Sequence, residues 1–420
     1  MIGLDGCRAM PGSMRVTVKT ICYLAPELTA LEATFVYQEL LALESRGVKV
    51  VPVSIRRPSK YLVGHDDLLD RTIYLYEAGG IATISHLLRI IFRFRPSYLH
   101  GLRYLFSDMR KVGFLRLQSW KLFFQYMMAT RLADILTENH CQHLHIHFAH
   151  VSAQIGMYAS AMTGVPFTVM AHANDIFERG LLLAEKAERS LKFLTISEFN
   201  RRYLEDQGVD PGKLAVVRCG VSFRMRPMPE MSSRNGVLRI GTLGRLVEKK
   251  GIDVLVRAVA KLKSRGASLS LSVAGDGPLL VPLKQLAEEL DVADDVIFEG
   301  ALPHARVSEW MQGLDVFVLA CKPDANGDMD GIPVALMEAM SQAVPVVSSR
   351  MSGIPELVIH EQTGLLSTPG DADDLADKIR RFLDSGELRL RLAQAAQLHL
   401  SNEFGQDVNL NRLQEYFGSK

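Results

Sequence analysis

The sequence has few cysteines, almost no net charge and no long apolar run. Its five cysteines are scattered and form no Cys-x-x-Cys pair, which argues for a reducing compartment and against a disulfide framework or a cysteine zinc site. The net charge of +1 gives no overall attraction to nucleic acid. No stretch approaches ~18 uncharged apolar residues, so we predict no membrane span. The opening MIGLDGCRAMPGSMRV has no basic region followed by an apolar run, so we expect a cytoplasmic protein without a signal peptide.

The chain is long and apolar enough to fold into more than one domain. It has 420 residues, of which 48% are hydrophobic. Apolar, β-branched segments alternate with helical segments, and this alternation predicts parallel sheets. A stretch rich in Pro, Met and Ser, Val221 to Asn235, separates two such series. We therefore predict an α/β protein with two doubly wound, Rossmann-like domains that face a cleft. The predicted parts are an N-terminal domain at 1–222, a C-terminal domain at 236–404, and a C-terminal helix at 405–420 that packs back on the first domain.

Residues 81–135 combine helical periodicity with interleaved basic and aromatic side chains. Such a composition is typical of a peripheral membrane surface, here the inner face of the cytoplasmic membrane, or of a site for an anionic lipid-linked ligand. The alternative is a set of ordinary helices whose aromatic side chains pack inward and whose arginines are solvated. Both interpretations stay open, whereas nucleic acid has little support because the rest of the chain is neutral.

The segment His140 to His150 contains five histidines. His143, His145 and His147 alternate, so they share one face of a predicted strand. This pattern has a metal-binding interpretation, but the stretch itself contains no acidic residue, and we predict core or pocket histidines and no metal ligand. The segment Ala171 to Phe177 follows the next strand and places His172 where ligands bind in open α/β sheets.

Two glycine-rich turns follow strands of the second domain. The first, GTLGRLVEKKG, contains Gly244, Arg245 and Lys250, and an arginine fork with a lysine point charge suits a diphosphate. The second, GDGP, contains Gly275 and Gly277, where glycine lets the backbone approach a ligand. Neither turn is a Walker A or a G-x-G-x-x-G sequence, which argues against an ATPase and an NAD enzyme.

A third strand-to-helix connection carries acidic residues. Asp330 precedes a helix that we expect to start near Gly331, and Glu338 lies in that helix among apolar residues. A helix N-terminus offers free N–H groups to phosphate, and carboxylates bind hydroxyl groups. Asp328 and Asp330 form a D-x-D sequence, but such a sequence is common by chance, and with Arg245 and Lys250 supplying positive charge a divalent ion is not required to neutralise a phosphate.

These motifs together resemble the retaining glycosyltransferases of family 4, which have the GT-B fold. GRLVEKKG, AGDGP and DGIPVALMEAM followed by PVVSSRMSGIPELV carry the resemblance, and AHANDIF and ISEFNRRYL extend it into the first domain. It covers about residues 140–370. HIHFAH and APELTALEATF point to the subgroup of exopolysaccharide and colanic-acid biosynthesis.

The resemblance implies a role for each site residue. Arg245 and Lys250 would neutralise the donor diphosphate, and Glu338 would hold the ribose. Asp330 would contact the transferred sugar, although the family usually has Glu there, and His172 would lie near the anomeric carbon. Backbone N–H groups of Gly331 and Ile332 would assist at the phosphate or the sugar.

The implied activity is transfer of a sugar from a nucleoside-diphosphate sugar to a saccharide or a polyprenyl-linked glycan, with retention. No cofactor and no essential metal are expected. The alternatives are a nucleotide-sugar epimerase or hydrolase of the same fold, and a non-enzymatic membrane-associated subunit.

Overall fold

The computed structural model describes residues 19–30, 34–59, 66–76, 96–177, 180–222, 225–227 and 236–417. Parts of several predictions lie outside these ranges: the extension at 1–13, the first strand at 14–18, the basic segment at 81–95, the linker at 223–224 and 228–235, and the last helix at 418–420. The described residues form two parallel sheets with flanking helices, which confirms the predicted α/β fold.

The first sheet has the strand order β3-β2-β1-β4-β5-β6-β7, and all neighbouring strands are parallel. Its strands are short and apolar because helices cover both faces of the sheet. The strand order reverses between β1 and β4, so a crevice opens at their carboxyl ends, where ligands bind in such sheets. The strands are β1 (Thr20–Ala25), β2 (Lys49–Ser54), β3 (Ile73–Tyr74), β4 (His143–His147), β5 (Phe167–Ala171), β6 (Lys192–Thr195) and β7 (Leu214–Val216).

The helices of this half of the chain connect the parallel strands. They are α1 (Thr34–Ser45), α2 (Asp66–Arg71), α3 (Tyr98–Val112), α4 (Leu117–Glu138), α5 (Val151–Thr163), α6 (Ala173–Phe177), α7 (Leu183–Arg189) and α8 (Glu198–Asp206). The predicted cap of α8 is present, since the Ser197 hydroxyl accepts the backbone N–H of Asn200. The sequence pattern predicts a loop at Ala171 to Phe177, but the short helix α6 forms within this segment.

The second sheet has the order β10-β9-β8-β11-β12-β13 and is also parallel. The order reverses between β8 and β11, so the turns after these two strands flank a second crevice. These are the turn with Lys250 and the loop with Asp330. The strands are β8 (Leu238–Leu243), β9 (Leu269–Ala274), β10 (Val296–Gly300), β11 (Val316–Leu319), β12 (Val346–Ser349) and β13 (Leu365–Ser367).

The helices of the second half include the one that carries Glu338. They are α9 (Ile252–Ser264), α10 (Leu280–Glu289), α11 (His304–Gln312), α12 (Val334–Ser341), α13 (Ile354–Leu357), α14 (Ala372–Asp384), α15 (Gly386–His399) and α16 (Gln406–Glu415). The expected start of α12 near Gly331 is wrong, because the helix begins at Val334. Pro333 has an extended conformation at the N-cap, and a proline keeps the residue before it out of the helical region.

The strand β4 separates two chemically different layers. Leu144 and Ile146 pack into the apolar core beneath the sheet. His143, His145 and His147 alternate with them and lie on the opposite face, as the spacing predicted. The ring of Phe417, just after α16, contacts His143 at 4.9 Å and His145 at 5.4 Å between ring centroids.

The chain crosses between the two domains twice, and the two crossings are hydrogen-bonded to each other. The Val221 N–H donates to Phe404 O at 2.9 Å, and the Gln406 N–H donates to Val221 O at 3.1 Å. After the second crossing α16 packs on α1 of the first domain, where Arg46 binds Asp407 at 2.5 Å. The last helix therefore belongs spatially to the first sheet.

Candidate functional site

The two glycine-rich turns of the second sheet lie directly against each other. The Gly244 N–H donates to Ala274 O at 3.0 Å, and the Leu246 N–H donates to Asp276 O at 2.9 Å. Gly275 has φ +138°, and a Cβ there would be 1.9 Å from Gly244 O. A Cβ at Gly277 would be 2.6 Å from Leu246 O, which is also too close. The turns thus form one surface at the carboxyl edge of β8 and β9, and only glycine fits where they meet.

The most polar contact of this surface joins the lysine turn to the acidic loop. Lys250 Nζ lies 2.7 Å from Asp330 Oδ2, and the two side chains are only 17% and 15% exposed. Lys249, which we did not single out from the sequence, binds Asp328 at 2.8 Å and lies 3.8 Å from Asp330 Oδ1. Both carboxylates of the D-x-D sequence are therefore paired with lysines. Arg245 is exposed on the same turn.

The loop with Asp330 also touches the first domain. A Cβ at Gly331 would be 3.1 Å from Ile196 Cδ1 and 3.4 Å from Ala173 Cβ. Ile332 is buried in the core of the second domain. Since Ala173 directly follows His172, the acidic loop and the His172 segment face each other across the cleft.

His172 is a buried imidazole that is surrounded by rings. Its Nε2 atom lies 3.3 Å from His147 Nδ1, and the rings of Phe35 and Phe148 are 4.9 Å and 4.7 Å away between centroids. Burial, together with the neighbouring His147, holds the pKa of His172 well below its usual range. The side chain is therefore neutral near pH 7, so it can hydrogen-bond a sugar hydroxyl but carries no charge.

The backbone of His172 is fixed by a buried carboxyl group. Asp175 accepts the His172 N–H at 2.8 Å and also the N–H of Ala149. Burial raises the pKa of Asp175 to about 7, although these backbone donors and Lys186 act in the opposite direction. Lys186 donates to Ala149 O at 2.6 Å, and burial lowers its pKa to about 8. The position of His172 thus depends on a buried polar group below it.

Glu338 lines a cavity of about 190 Å³ between the domains. Thr34, Phe35 and Gln38 of α1 form the opposite wall. Glu338 is half-buried, and it has an interaction partner in the folded chain. The structure therefore places this carboxylate in the cleft, close to the first domain.

A larger cavity of about 650 Å³ opens beside the first sheet, and we did not predict it from the sequence. Its walls follow the carboxyl ends of β1, β2 and β4, the crevice edge of this sheet. Polar and aromatic groups share its lining. The lining residues are Pro26, Glu27, Ile55, Arg56, Tyr76, Trp120, Lys121, Phe124, Gln125, His150 and Val151.

Two acidic residues that the motif search missed hold the site together. Glu39 of α1 lies 3.1 Å from His147 Nε2. Burial would raise the pKa of Glu39, but His147 and His145 outweigh it and keep this pKa below its usual range. Glu356 of the second domain accepts the N–H groups of Glu198 and Phe199 at 3.0 Å each, so it caps α8 across the cleft. Glu39 lies in no motif, and Glu356 lies in the motif PVVSSRMSGIPELV, but the sequence assigns a role to neither because their partners are distant in the chain.

Comparison with known proteins shows which family this chain resembles. The model of the family "Glycosyl transferases group 1" matches residues 230–399, and that of "Glycosyltransferase Family 4" matches residues 106–224. The chain is similar to the amylovoran biosynthesis glycosyltransferase AmsK of Erwinia amylovora, with 33% identity over 64% of this chain and 68% of the relative. It is also similar to the putative colanic acid biosynthesis glycosyltransferase WcaL of Escherichia coli K12, with 38% identity over 57% of this chain and 56% of the relative.

Solved structures agree with this family at the level of the fold. Anabaena Alr3699/HepE in complex with UDP superposes with a TM-score of 0.69 at 16% identity, over 94% of this chain and 98% of that chain. A glycosyltransferase from Rickettsia africae superposes with a TM-score of 0.67 at 16% identity, over 94% and 97%. The resemblance drawn from the motifs is thereby confirmed. The chain belongs to the group 1, or family 4, glycosyltransferases with the GT-B fold.

Proposed function

We propose that this protein transfers a sugar, with retention, from a nucleoside-diphosphate sugar to a saccharide or a polyprenyl-linked glycan. We place it in the synthesis of a bacterial exopolysaccharide or cell-surface glycan, as the names of its relatives AmsK and WcaL suggest. The observation that carries the proposal is the Lys250–Asp330 ion pair, which puts a phosphate-binding cation and a hydroxyl-binding carboxylate 2.7 Å apart at one sheet edge.

The donor would bind mainly to the second domain. Lys250 and Arg245 neutralise its diphosphate, and the glycine turns with Gly275 and Gly277 let it approach the backbone. Glu338 holds the ribose in the cavity between the domains. The superposed Alr3699/HepE structure contains UDP, which supports this assignment.

The sugar would lie between Asp330 and His172. In the free protein Asp330 pairs with Lys250, and in the complex the lysine turns to the phosphate while the carboxylate binds sugar hydroxyls. Backbone N–H groups of Gly331 and Ile332 add to these contacts. Because His172 is buried and neutral, it orients a hydroxyl without contributing a charge.

In the reaction, the bond between the anomeric carbon and the phosphate oxygen breaks, and its electron pair stays on the phosphate. Lys250 and Arg245 stabilise the charge that develops there, which is the transition-state stabilisation that the site supplies. The acceptor oxygen bonds to the anomeric carbon on the same face, and its proton passes to the departing phosphate. The two cations perform the charge neutralisation, so we expect turnover without an added divalent ion.

The acceptor would bind to the first domain, in the cavity of about 650 Å³. The neighbouring helices α3 and α4 and the turn between them expose large apolar side chains, with Leu115 of the turn 98% and Trp120 of α4 63% exposed. Arg116 and Lys121 are exposed beside them, whereas Asp108 is buried and paired with Arg189. Basic and apolar groups on one surface favour a peripheral contact with an anionic membrane from the cytoplasmic side. None of the helices in the described ranges is both long and apolar enough to cross a bilayer.

The test is calorimetry of UDP-, GDP- and ADP-sugars without added metal. We expect one donor class to bind, with at least a ~10-fold loss of affinity in Arg245→Ala because a charged hydrogen bond is removed. The matched control is Arg265→Ala, which removes an arginine that binds Asp377 at 2.6 Å in the same domain and leaves donor binding unchanged.

Further measurements separate the alternatives. Glu338→Ala should weaken binding of the donor nucleotide more than binding of its 2′-deoxy analogue, since the carboxylate is assigned to the ribose. Analysis of the products should find the sugar on an added saccharide or lipid-linked acceptor. Complete consumption of donor without acceptor would instead indicate an epimerase or hydrolase. Absence of donor binding by folded protein would indicate a non-enzymatic membrane-associated subunit.

A further inference from the structure

Three metal-ligating atoms converge between α1 and β4. His145 Nε2 lies 3.2 Å from His147 Nε2, and Glu39 Oε1 lies 3.1 Å from His147 Nε2 and 3.4 Å from His145 Nε2. The two imidazoles are 0% and 1% exposed, while Glu39 is 16% exposed and provides the route to solvent. Among the residues described, this trio forms a group with the spacing of a metal site.

Two acceptors compete for the single hydroxyl proton of Tyr23 in this cluster. Tyr23 Oη lies 2.6 Å from His147 Nε2 and 2.9 Å from both Glu39 Oε1 and Val36 O, although the hydroxyl has one proton to donate. If both Nε2 atoms carried protons for Glu39, two N–H donors would face each other 3.2 Å apart. Protonation of both rings on Nδ1 instead leaves a lone pair on each Nε2 atom and on Glu39 Oε1, and a cation at the centre can accept all three.

The remaining imidazole nitrogens also have polar partners. His145 Nδ1 lies 2.8 Å from Thr168 Oγ1, and His147 Nδ1 lies 3.3 Å from His172 Nε2. Histidine ligands of metals usually donate the proton of the second nitrogen to a carboxylate, a backbone carbonyl or water, and here a hydroxyl and an imidazole nitrogen take that position. Both rings are therefore held with Nε2 directed to the cluster.

We propose that Glu39, His145 and His147 bind one Zn²⁺ ion, with the Tyr23 oxygen next to the remaining position. Two histidines and one glutamate are a known zinc ligand set, and zinc bond lengths of about 2.0–2.2 Å place tetrahedral ligand atoms about 3.3–3.5 Å apart. The observed separations are 3.4 Å, which is within that range, and 3.1 and 3.2 Å, which are slightly shorter. The site is separate from the donor phosphates on the second domain.

The ion ties α1 to the sheet and reaches the catalytic cleft through one contact. A metal on His147 Nε2 leaves the proton on Nδ1, which then donates to His172 Nε2. The proton of His172 is consequently on Nδ1. The zinc ion thus selects the tautomer of the imidazole that we assign to the donor sugar, without itself contacting the sugar.

The experiment measures zinc in the full chain, purified without a histidine tag and freed of metal by chelation. Zinc is titrated by calorimetry into wild type, Glu39→Gln, His147→Gln and the control His143→Gln. His143 lies on the same strand face and contacts Thr168 at 2.9 Å, but it is outside the trio. Circular dichroism verifies that each variant is folded.

We expect one zinc ion per wild-type chain and an increase in melting temperature when it binds. Loss of an outer-shell partner of a ligand reduces metal affinity by about 10–100-fold. Loss of a ligand itself should therefore reduce the zinc affinity by at least as much. His143→Gln should retain the wild-type stoichiometry. Equal zinc binding in all four proteins, or none in folded wild type, would overturn the proposal.

Cobalt substitution in the wild-type protein provides a second readout, which does not depend on whether the variants fold. Co²⁺ in the wild-type site should give the intense visible absorption of a tetrahedral centre, because metal geometry is diagnostic of the ligand set. A weak octahedral spectrum would mean adventitious binding and would also overturn the proposal. Neither readout depends on donor binding, so this test fails or succeeds independently of the proposed transferase activity.

Discussion

Replacement of Lys250 by alanine tests the assignment of the donor phosphate site most directly. In the free protein Lys250 Nζ is 2.7 Å from Asp330, and both groups are largely shielded from water. A hydrogen bond to a charged group contributes about 1.5–3 kcal/mol. Binding of the donor exchanges the Asp330 contact for a phosphate contact, and Lys249 remains 3.8 Å from Asp330. We therefore expect a loss of about 2 kcal/mol, which is about 30-fold in the dissociation constant.

The assay is calorimetric titration with the donor nucleotide and, in parallel, with its nucleoside. Lys250→Ala should weaken the diphosphate and leave the nucleoside unchanged, because only the phosphate contact is lost. Lys263→Ala is the matched control, since Lys263 binds Asp295 at 2.8 Å in the same domain. Unchanged diphosphate affinity in a folded Lys250→Ala protein would refute the assignment, as would an equal loss in the control.

Three further predictions concern the turns, the buried carboxyl group and the exposed apolar surface. Gly275→Ala should abolish donor binding, because its Cβ would be 1.9 Å from Gly244 O. Gly266 has φ +78° and open space around it, so Gly266→Ala should retain donor binding at a cost of about 1 kcal/mol of stability. The pKa of Asp175 is about 7 in the folded state and about 3.8 in the unfolded state, so the folded protein binds more protons between these pH values. The unfolding free energy should therefore fall as the pH rises through this range, and Asp175→Asn should remove this slope in denaturant titrations. Leu115→Glu should reduce sedimentation with anionic vesicles, while the equally apolar Ile297→Glu control should not.

Each of these three has a result that would contradict it. Donor binding by Gly275→Ala equal to that of Gly266→Ala would mean that the turns move apart freely. A stability profile of Asp175→Asn that is parallel to wild type would mean that this group does not titrate between the two values. Equal vesicle binding by both glutamate variants would place the membrane contact elsewhere.

Local patterns account for the parts of the fold that the sequence predicted well. The sequence pattern predicts a strand at Leu269–Ala274 and a helix near 252–264, and the structure has both elements there, because glycine turns delimit a short apolar run and an amphipathic run. The start of α12 was misplaced because extended backbone around Pro333 outweighed the apolar pattern. The short strand Leu365–Ser367 was not predicted, since three residues are too few to show a period.

Local sequence patterns could not predict the contacts between residues that are distant in the chain. Metal ligation by the histidine strand was discounted because the stretch itself contains no acidic residue, yet the β1–α1–β2 crossover brings Glu39 to 3.1 Å from His147. In the same way, Lys250 and Asp330 were assigned from separate motifs, and only the adjacency of β8 and β11 pairs them. Neither juxtaposition can be read before the strand order is known.

The paired crossings between the domains make the second domain an insertion between Val221 and Gly405 rather than a unit at the end of a tether. Gly220 lies so close to Gln406 that a Cβ would be 2.7 Å from its Cα, so the two crossing segments leave no room to slide past each other. A domain held at two adjacent points can swing about the line that joins them, but it cannot spin about its own axis. Each opening of the cleft should therefore follow the same arc and bring the same faces back into register. A single proteolytic cut at one crossing would leave the two halves joined through the other.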